Sequence, residues 1–396
     1  MRGRWRTAFC AVTAAGLVLA LQPGAVCSAQ EQETQNVRRV AVFTYSYASE
    51  YWGYVTQGCM AWGRDDPTLE VDVKSVSSSI AGDEQMAMIR QDLESGRYDG
   101  YVIAAIDTES MDEALREVEL PVVSIDSPLD ADCVISFIGT DNELASAAGA
   151  RQAVSMAKDN GFSDPECVMI GGLEGGYNQE RRVAGYKRGV EEAGGIWLDK
   201  VYQTDKSVAG GGKAMEEIMK DYPDGIAIIA CYNDTLAESA LEECEGNPAF
   251  ADTVFLGFDG NGSVCERIMN DDRYANMVTV AQNPYEMGFH AMEIMSDYFK
   301  SQGQGDSGDL SQDDESGADA DESSQGKEPG ADTDTSATDD KFGSDSQDAS
   351  PQETGKGGSG KDQAKTEGIP FIDSGYAVIT SVNAQERMTQ IMNHIS

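Results

Sequence analysis

Histidine is almost missing from this chain: His290 and His394 are the two among 396 residues. His290 falls in a helical stretch and His394 close to the last residue, so neither anchors a Ser/His/Asp or Cys/His set. Positive charge is scarce as well. The 29 Lys and Arg face 69 Asp and Glu, a formal charge of −40. A field of that sign repels nucleic acid and anionic lipid, which excludes both as partners. No cysteine spacing matches a zinc site. The glycine turn 171–176 fits neither the dinucleotide nor the P-loop pattern. Beyond the N-terminus, no apolar run approaches the roughly 20 residues that cross a bilayer. The expectation is a protein that is not an enzyme and uses no cofactor and no metal.

A leader stands at the N-terminus. Arg2, Arg4 and Arg6 precede the apolar run Ala11–Leu21, and small residues follow. That pattern predicts a signal peptide over 1–29, cut after Ala29. A basic helix-turn-helix, which a repressor would need, is not there. Cys27 leaves a second reading open, a lipid-anchored cysteine, although Gly24 and Val26 fit a lipobox poorly. Either reading places the chain outside the cytoplasm, where disulfides are permitted. Cys59, Cys167 and Cys231 lie in apolar or helical runs and read as small buried groups. Cys244 and Cys265 could pair between neighbouring helices or stay free. Residues 301–367 hold 18 Asp and Glu against 5 Lys and almost no large apolar side chains. Such a composition cannot bury enough surface to fold, so 302–367 is expected to be a disordered acidic insertion. Lengthening a connection from about 6 to about 65 residues adds about 2 kcal/mol of closure entropy, which a chain of this size tolerates. The insertion reads as a passive loop, with a tether to a cell-envelope partner as the alternative.

The rest alternates short apolar runs with amphipathic segments. Arg39–Thr44, Glu70–Val76, Tyr98–Ile106, Pro121–Ile125 and Val134–Ile138 read as strands, and the pattern restarts at Cys167–Ile170. Between the first strand and its helix, Tyr45–Trp52 reads as a polar and aromatic loop. Strands buried on both faces with helices between them imply an α/β fold of two doubly wound parallel-sheet lobes. The expected boundaries are 38–142 for the first lobe, completed by 283–301, and 143–282 for the second, completed by about 368–385. The stretch 226–261 shows the design most clearly. Two apolar strands end abruptly in Asn233-Asp234 and Asp259-Gly260-Asn261. Ligands of open α/β sheets sit outside the carboxyl ends of the strands, which is where Asn233 and Asp259 stand. Asp234 and Asn261 read as helix caps, and the cap reading stays open for Asn233 and Asp259 too.

Seven short marks occur in order: Tyr51-Trp52; Val123-Ser-Ile-Asp126; Ile138-Gly-Thr-Asp-Asn142; Glu180-Arg-Arg-Val-Ala-Gly-Tyr186; Asn233-Asp234; Gly257-Phe-Asp-Gly260; and Val280-Ala-Gln-Asn-Pro284. In this order and spacing the chain resembles the type I periplasmic binding proteins of sugar ABC transporters, the ribose-, galactose- and allose-binding group. The resemblance covers about 38–300 and resumes at 368–385. It implies a sugar-like ligand clamped between lobes joined by a multi-strand hinge. It also implies delivery to a membrane permease by a monomer. The alternative is a sensory binding protein read by a histidine kinase or chemoreceptor.

By position, the clamp would use Tyr45, Ser49, Tyr51 and Trp52, then Asp126 and Ser127, then Asn178, Arg182, Asn233, Asp259 and Gln282. Asp126 and Asp259 would accept from sugar hydroxyls, Arg182 would donate as a fork, and Tyr51 and Trp52 would stack on a C–H face. Structural readings stand beside these: Trp52 as core packing, Arg182 pairing with Glu180 or Glu191, and Asp126 capping a turn before Pro128. Ser127 and Lys206 replace an Arg and an aromatic that the family often carries, and Tyr45 replaces a small polar residue. The ligand therefore need not be ribose; another pentose or hexose, a polyol or a sugar-derived signal would suit.

Overall fold

Each buried strand is an apolar run because helices cover both faces of its sheet. The computed structural model describes residues 37–78, 81–305 and 369–395. The expected leader and residues 306–367 of the expected insertion lie outside the described residues.

In chain order, β1 (Arg38–Thr44), α1 (Glu50–Asp65), β2 (Leu69–Ser75), α2 (Gly82–Ser95), β3 (Gly100–Ile103), α3 (Thr108–Leu115), β4 (Val122–Ile125) and β5 (Val134–Gly139) build the first lobe. The chain crosses over and builds the second lobe from α4 (Asn142–Asp159), β6 (Glu166–Ile170), α5 (Tyr177–Glu192), β7 (Ile196–Tyr202) and α6 (Val208–Asp221). This lobe continues with β8 (Ile228–Cys231), α7 (Asp234–Glu243), β9 (Val254–Asp259), α8 (Gly262–Asn270) and β10 (Met277–Gln282). It returns as α9 (Pro284–Gly305), and ends with β11 (Phe371–Asp373), β12 (Tyr376–Ile379) and α10 (Ala384–Ile395). The sheet orders are β11-β5-β4-β3-β1-β2 and β12-β10-β9-β8-β6-β7. All pairings are parallel except that of β12 with β10.

Four apolar clusters fill the two faces of the two sheets. In the first lobe α1 and α9 cover one face, with Val55, Cys59, Met287 and Met295 wholly buried. In the second lobe α4 and α5 cover one face, and α6, α7, α8 and α10 the other. Three crossings join the lobes, and they are bonded to one another. Asn283 Nδ2 donates to the Ser374 carbonyl at 2.7 Å, and Thr140 and Ser374 share a hydroxyl contact at 3.3 Å. Arg387 on α10 donates from Nη2 to the Gln282 carbonyl at 2.6 Å.

The structure departs from expectation in three places and decides an open one. Tyr51 and Trp52 are not in a loop; they form the first turn of α1, which begins once Ser49 takes the extended N-cap backbone. The helix expected to end at Lys300 runs on to Gly305. The segment 368–385 does not complete the second lobe alone, because β11 pairs with β5 in the first lobe before β12 joins β10. Cys244 and Cys265 are free thiols. Each points back into its own turn, Cys244 towards the Leu241 carbonyl and Cys265 towards the Gly260 carbonyl. Burial raises them to about 11 and about 12, so they stay protonated and unreactive.

Helices α1 and α9 approach so closely that glycines are required at the contact. A Cβ on Gly58 would land on the Tyr285 carbonyl oxygen, and one on Gly288 on the Val55 carbonyl oxygen. Gly53, earlier in α1, has nothing within 4 Å of its Cβ position. Gly58→Ala should lower unfolding stability by about 1–3 kcal/mol, as overpacking does. Gly53→Ala should be neutral or raise stability by about 0.5–1 kcal/mol through helix propensity. Urea titrations of the two variants decide it; equal effects would mean that the helix contact is looser than described.

Candidate functional site

The carboxyl ends of the strands in both sheets face a cavity of about 490 Å³ between the lobes. Its walls come from short stretches just past the strand tips. In the first lobe, Tyr45 stacks on Trp52 with ring centroids 4.4 Å apart, and Tyr51 meets Trp52 edge-on at 4.9 Å. This aromatic shelf is fixed at its polar ends. The Tyr45 hydroxyl donates to the Ala105 carbonyl at 2.8 Å, and the Tyr51 hydroxyl reaches Asp126 Oδ1 at 3.2 Å. Burial pushes both phenols well above their ordinary range, so they act as neutral groups.

Asp126 follows β4 with φ at 66°, a left-handed backbone that turns its carboxylate into the cavity. Its second oxygen accepts from Asn178 Nδ2, across the lobes, at 3.0 Å. In the second lobe Asp259 ends β9 with φ at 116° and accepts from Gln282 Nε2 at 2.8 Å. Arg182, from α5, is 2% exposed. Its Nε donates to Asn142 Oδ1 at 2.8 Å and its Nη1 to the Tyr232 carbonyl at 2.6 Å. The guanidinium lies over Phe258, 3.7 Å from the ring centroid, and near Tyr232, 4.6 Å from the centroid. It does not pair with Glu180 or Glu191 on the helix surface.

A family model described as periplasmic binding protein domain matches residues 40–304. The chain belongs to this family. It is 25% identical over 245 residues to the D-allose-binding periplasmic protein of Escherichia coli, covering 59% of this chain and 76% of that protein. It is 24% identical over 202 residues to the ribose import binding protein of Salmonella typhimurium, covering 50% of this chain and 65% of that one. These relatives are substrate-binding proteins, not enzymes. A solved carbohydrate transporter solute-binding protein from Agrobacterium radiobacter, in complex with D-arabinose, superposes with a TM-score of 0.62. At 17% identity, over 90% of this chain and 99% of that one, the likeness shows the fold: the type I arrangement of two α/β lobes.

Of the eleven residues singled out from the sequence, nine line the cavity of this periplasmic binding protein: Tyr45, Ser49, Tyr51, Trp52, Asp126, Arg182, Asn233, Asp259 and Gln282. Ser127 and Asn178 do not. Both touch Asp126 from behind, Ser127 Oγ at 3.4 Å, and Ser127 also meets the Tyr45 hydroxyl at 3.3 Å. Trp52 is both lining and core. Asn233 lines the cavity and also caps α7, accepting from the Leu236 amide at 3.1 Å. Asp234, expected as a cap, is wholly buried; it accepts from Thr279 Oγ1 at 2.5 Å and from the Asn261 amide at 2.9 Å. Asn261 makes no side-chain cap. Glu50 of the opposite lobe takes that role, accepting from the Gly262 amide at 2.6 Å.

Sequence reasoning passed over three features of the site. Tyr232 stands one residue before Asn233, at a strand tip where the same rule would have placed it. Glu50, beside the flagged aromatics, and Asn142, inside a flagged motif, act through partners distant in sequence. Among the described residues no cluster of His, Cys, Asp or Glu is placed to hold a metal ion, and no helix is long and apolar enough to cross a membrane.

Burial is the largest influence on both cavity carboxyls and pushes them upward, with Arg182 opposing; Asp259 reaches about 6 from an ordinary 3.8. Between those two pH values the folded chain holds a proton that the unfolded chain has released. Asp259 therefore lowers stability as pH rises through that window, and its penalty is complete above it. Asp259→Asn should gain thermal midpoint relative to the parent protein as pH rises from about 4.5 to about 7. A difference that does not change with pH would mean that Asp259 titrates like an exposed carboxylate.

Proposed function

We propose that this chain clamps a sugar or sugar-like solute in the cavity between its lobes, outside the cytoplasm, and delivers it to the permease of an ABC importer. One observation carries the reading: an aromatic shelf, two carboxylates and a buried guanidinium converge on a single cleft. A sugar offers hydroxyls that donate to Asp126 and Asp259 and accept from Arg182, Asn233 and Gln282. It also offers a C–H face for the Tyr45–Trp52 shelf. A micromolar dissociation constant corresponds to about −8 kcal/mol, within reach of a few charge-assisted bonds plus stacking. Relatives named for sugar binding and sugar import support delivery to a permease over presentation to a sensor kinase.

The test is a thermal-shift screen of monosaccharides and polyols against the chain without residues 1–29. A ligand at about 100 times its dissociation constant should stabilise the fold by about 2.7 kcal/mol. Asp259→Ala and Asp126→Asn should erase the shift while circular dichroism stays native. If both variants respond like the parent, the ligand binds somewhere other than this cavity.

A further inference from the structure

One cavity side chain has no role in holding the site together. Lys206 stands in the connection from β7 to α6 with φ at 63°, a left-handed backbone that a lysine adopts only under constraint. The constraint is visible. The Lys206 amide donates to Thr204 Oγ1 at 3.0 Å, and that hydroxyl donates to the Gly171 carbonyl at 2.7 Å. The side chain runs along the wall of the cavity. A Cβ on Gly172 would sit 2.9 Å from Lys206 Cε and 3.2 Å from both its Cγ and Tyr232 Cδ2. The stem thus lies against bare glycine backbone, and its ammonium rests 4.7 Å from the Tyr232 ring centroid.

The other charged groups nearby are committed. Arg182 holds Asn142 and the Tyr232 carbonyl. Asp205 accepts from the Ser207 amide at 3.0 Å and the Ser207 hydroxyl at 2.6 Å. Asp126 and Asp259 are bonded to Tyr51, Asn178 and Gln282. Among the described residues, Lys206 makes no ion pair. Its charge nonetheless reaches the cavity interior, where it favours the ionised forms of both Asp126 and Asp259, against the effect of burial. The cavity, at about 490 Å³, has room for more than one sugar ring.

We propose that Lys206 is a specificity-determining residue, and that the ligand is an acidic sugar whose carboxylate is received by the Lys206 ammonium beside Tyr232. This rests on the sugar-binding reading above and names the ligand class. A neutral sugar offers this ammonium only hydroxyl oxygens. A carboxylate accepts the same bond and adds an opposite charge, so the contact becomes an ion pair as well as a hydrogen bond.

The experiment is isothermal titration of the chain without residues 1–29 with matched pairs: D-glucuronate and D-glucose, D-galacturonate and D-galactose, D-ribonate and D-ribose. In at least one pair the acid should bind about tenfold or more tightly than its parent sugar. Lys206→Met, which keeps the stem and removes the charge, should bring that pair to near parity by weakening the acid about tenfold more than the parent sugar. Lys206→Arg should retain the preference, and thermal midpoints report the folding of both variants. If neutral sugars bind and the acids bind no better, Lys206 does not select an anion and this inference falls alone. The same holds if Lys206→Met weakens acid and parent equally. If neither these pairs nor the broader screen produces any binding, the sugar-binding reading falls and this inference with it.

Discussion

The cleft depends on one buried cation. A guanidinium taken out of water costs several kcal/mol unless its charge and its hydrogen bonds are met. Arg182 meets that condition through three elements at once: Asn142 on α4, the Tyr232 carbonyl past the end of β8, and the Phe258 ring on β9. It is also the charge that allows Asp126 and Asp259 to face one small space, since burial alone drives both toward their protonated forms. With Arg182 removed, two desolvated carboxylates would keep neutral hydrogen-bond partners and only the lesser pull of Lys206, and the second lobe would lose the tie between α4, α5 and β8.

Positive backbone angles at Asp126 and Asp259 are the second constraint. Neither residue is a glycine, yet both sit beyond φ +60° at the tip of a parallel strand. Such conformations cost of order 1–3 kcal/mol and persist only where the surroundings impose them. At Asp126 they are imposed from both lobes, by Tyr51 on one side and Asn178 on the other. A second bridge stands at the cavity wall, where Glu50 of the first lobe supplies the N-terminus of α8 with the acceptor its own Asn261 does not provide. A carboxylate at that position also opposes the positive end of the helix dipole.

Most of the scaffold was readable because its determinants are local. Apolar runs such as Ile228–Cys231 and Val254–Phe258 are buried on both faces, and that pattern needs no knowledge of partners. What resisted reading were choices made by distant groups. Asn233 and Asp234 are chemically alike, and both are able to cap. The cap fell to Asn233 because Thr279 and the Asn261 amide, on other elements, claim Asp234. Ser127 and Asn178 carry the right chemistry for a clamp, yet lie one layer behind it, since depth within a wall leaves no trace in spacing. Cys244 follows the last turn of α7 and Cys265 lies in the first turn of α8, so the two stand at opposite ends of neighbouring helices and do not meet.

The edge strand β11 has a mechanical consequence. Helix α9 packs on the first lobe against α1, and β11 pairs with β5 of that same lobe. The two ends that flank the long acidic stretch are therefore both fixed to the first lobe, and the stretch joins two points of one sheet's surroundings rather than the two lobes. Opening or closing the cleft would change the separation between lobes without pulling on the stretch between Gly305 and Ile369. The separation of its two anchor points is thus set within the first lobe alone, whatever the distance between the lobes.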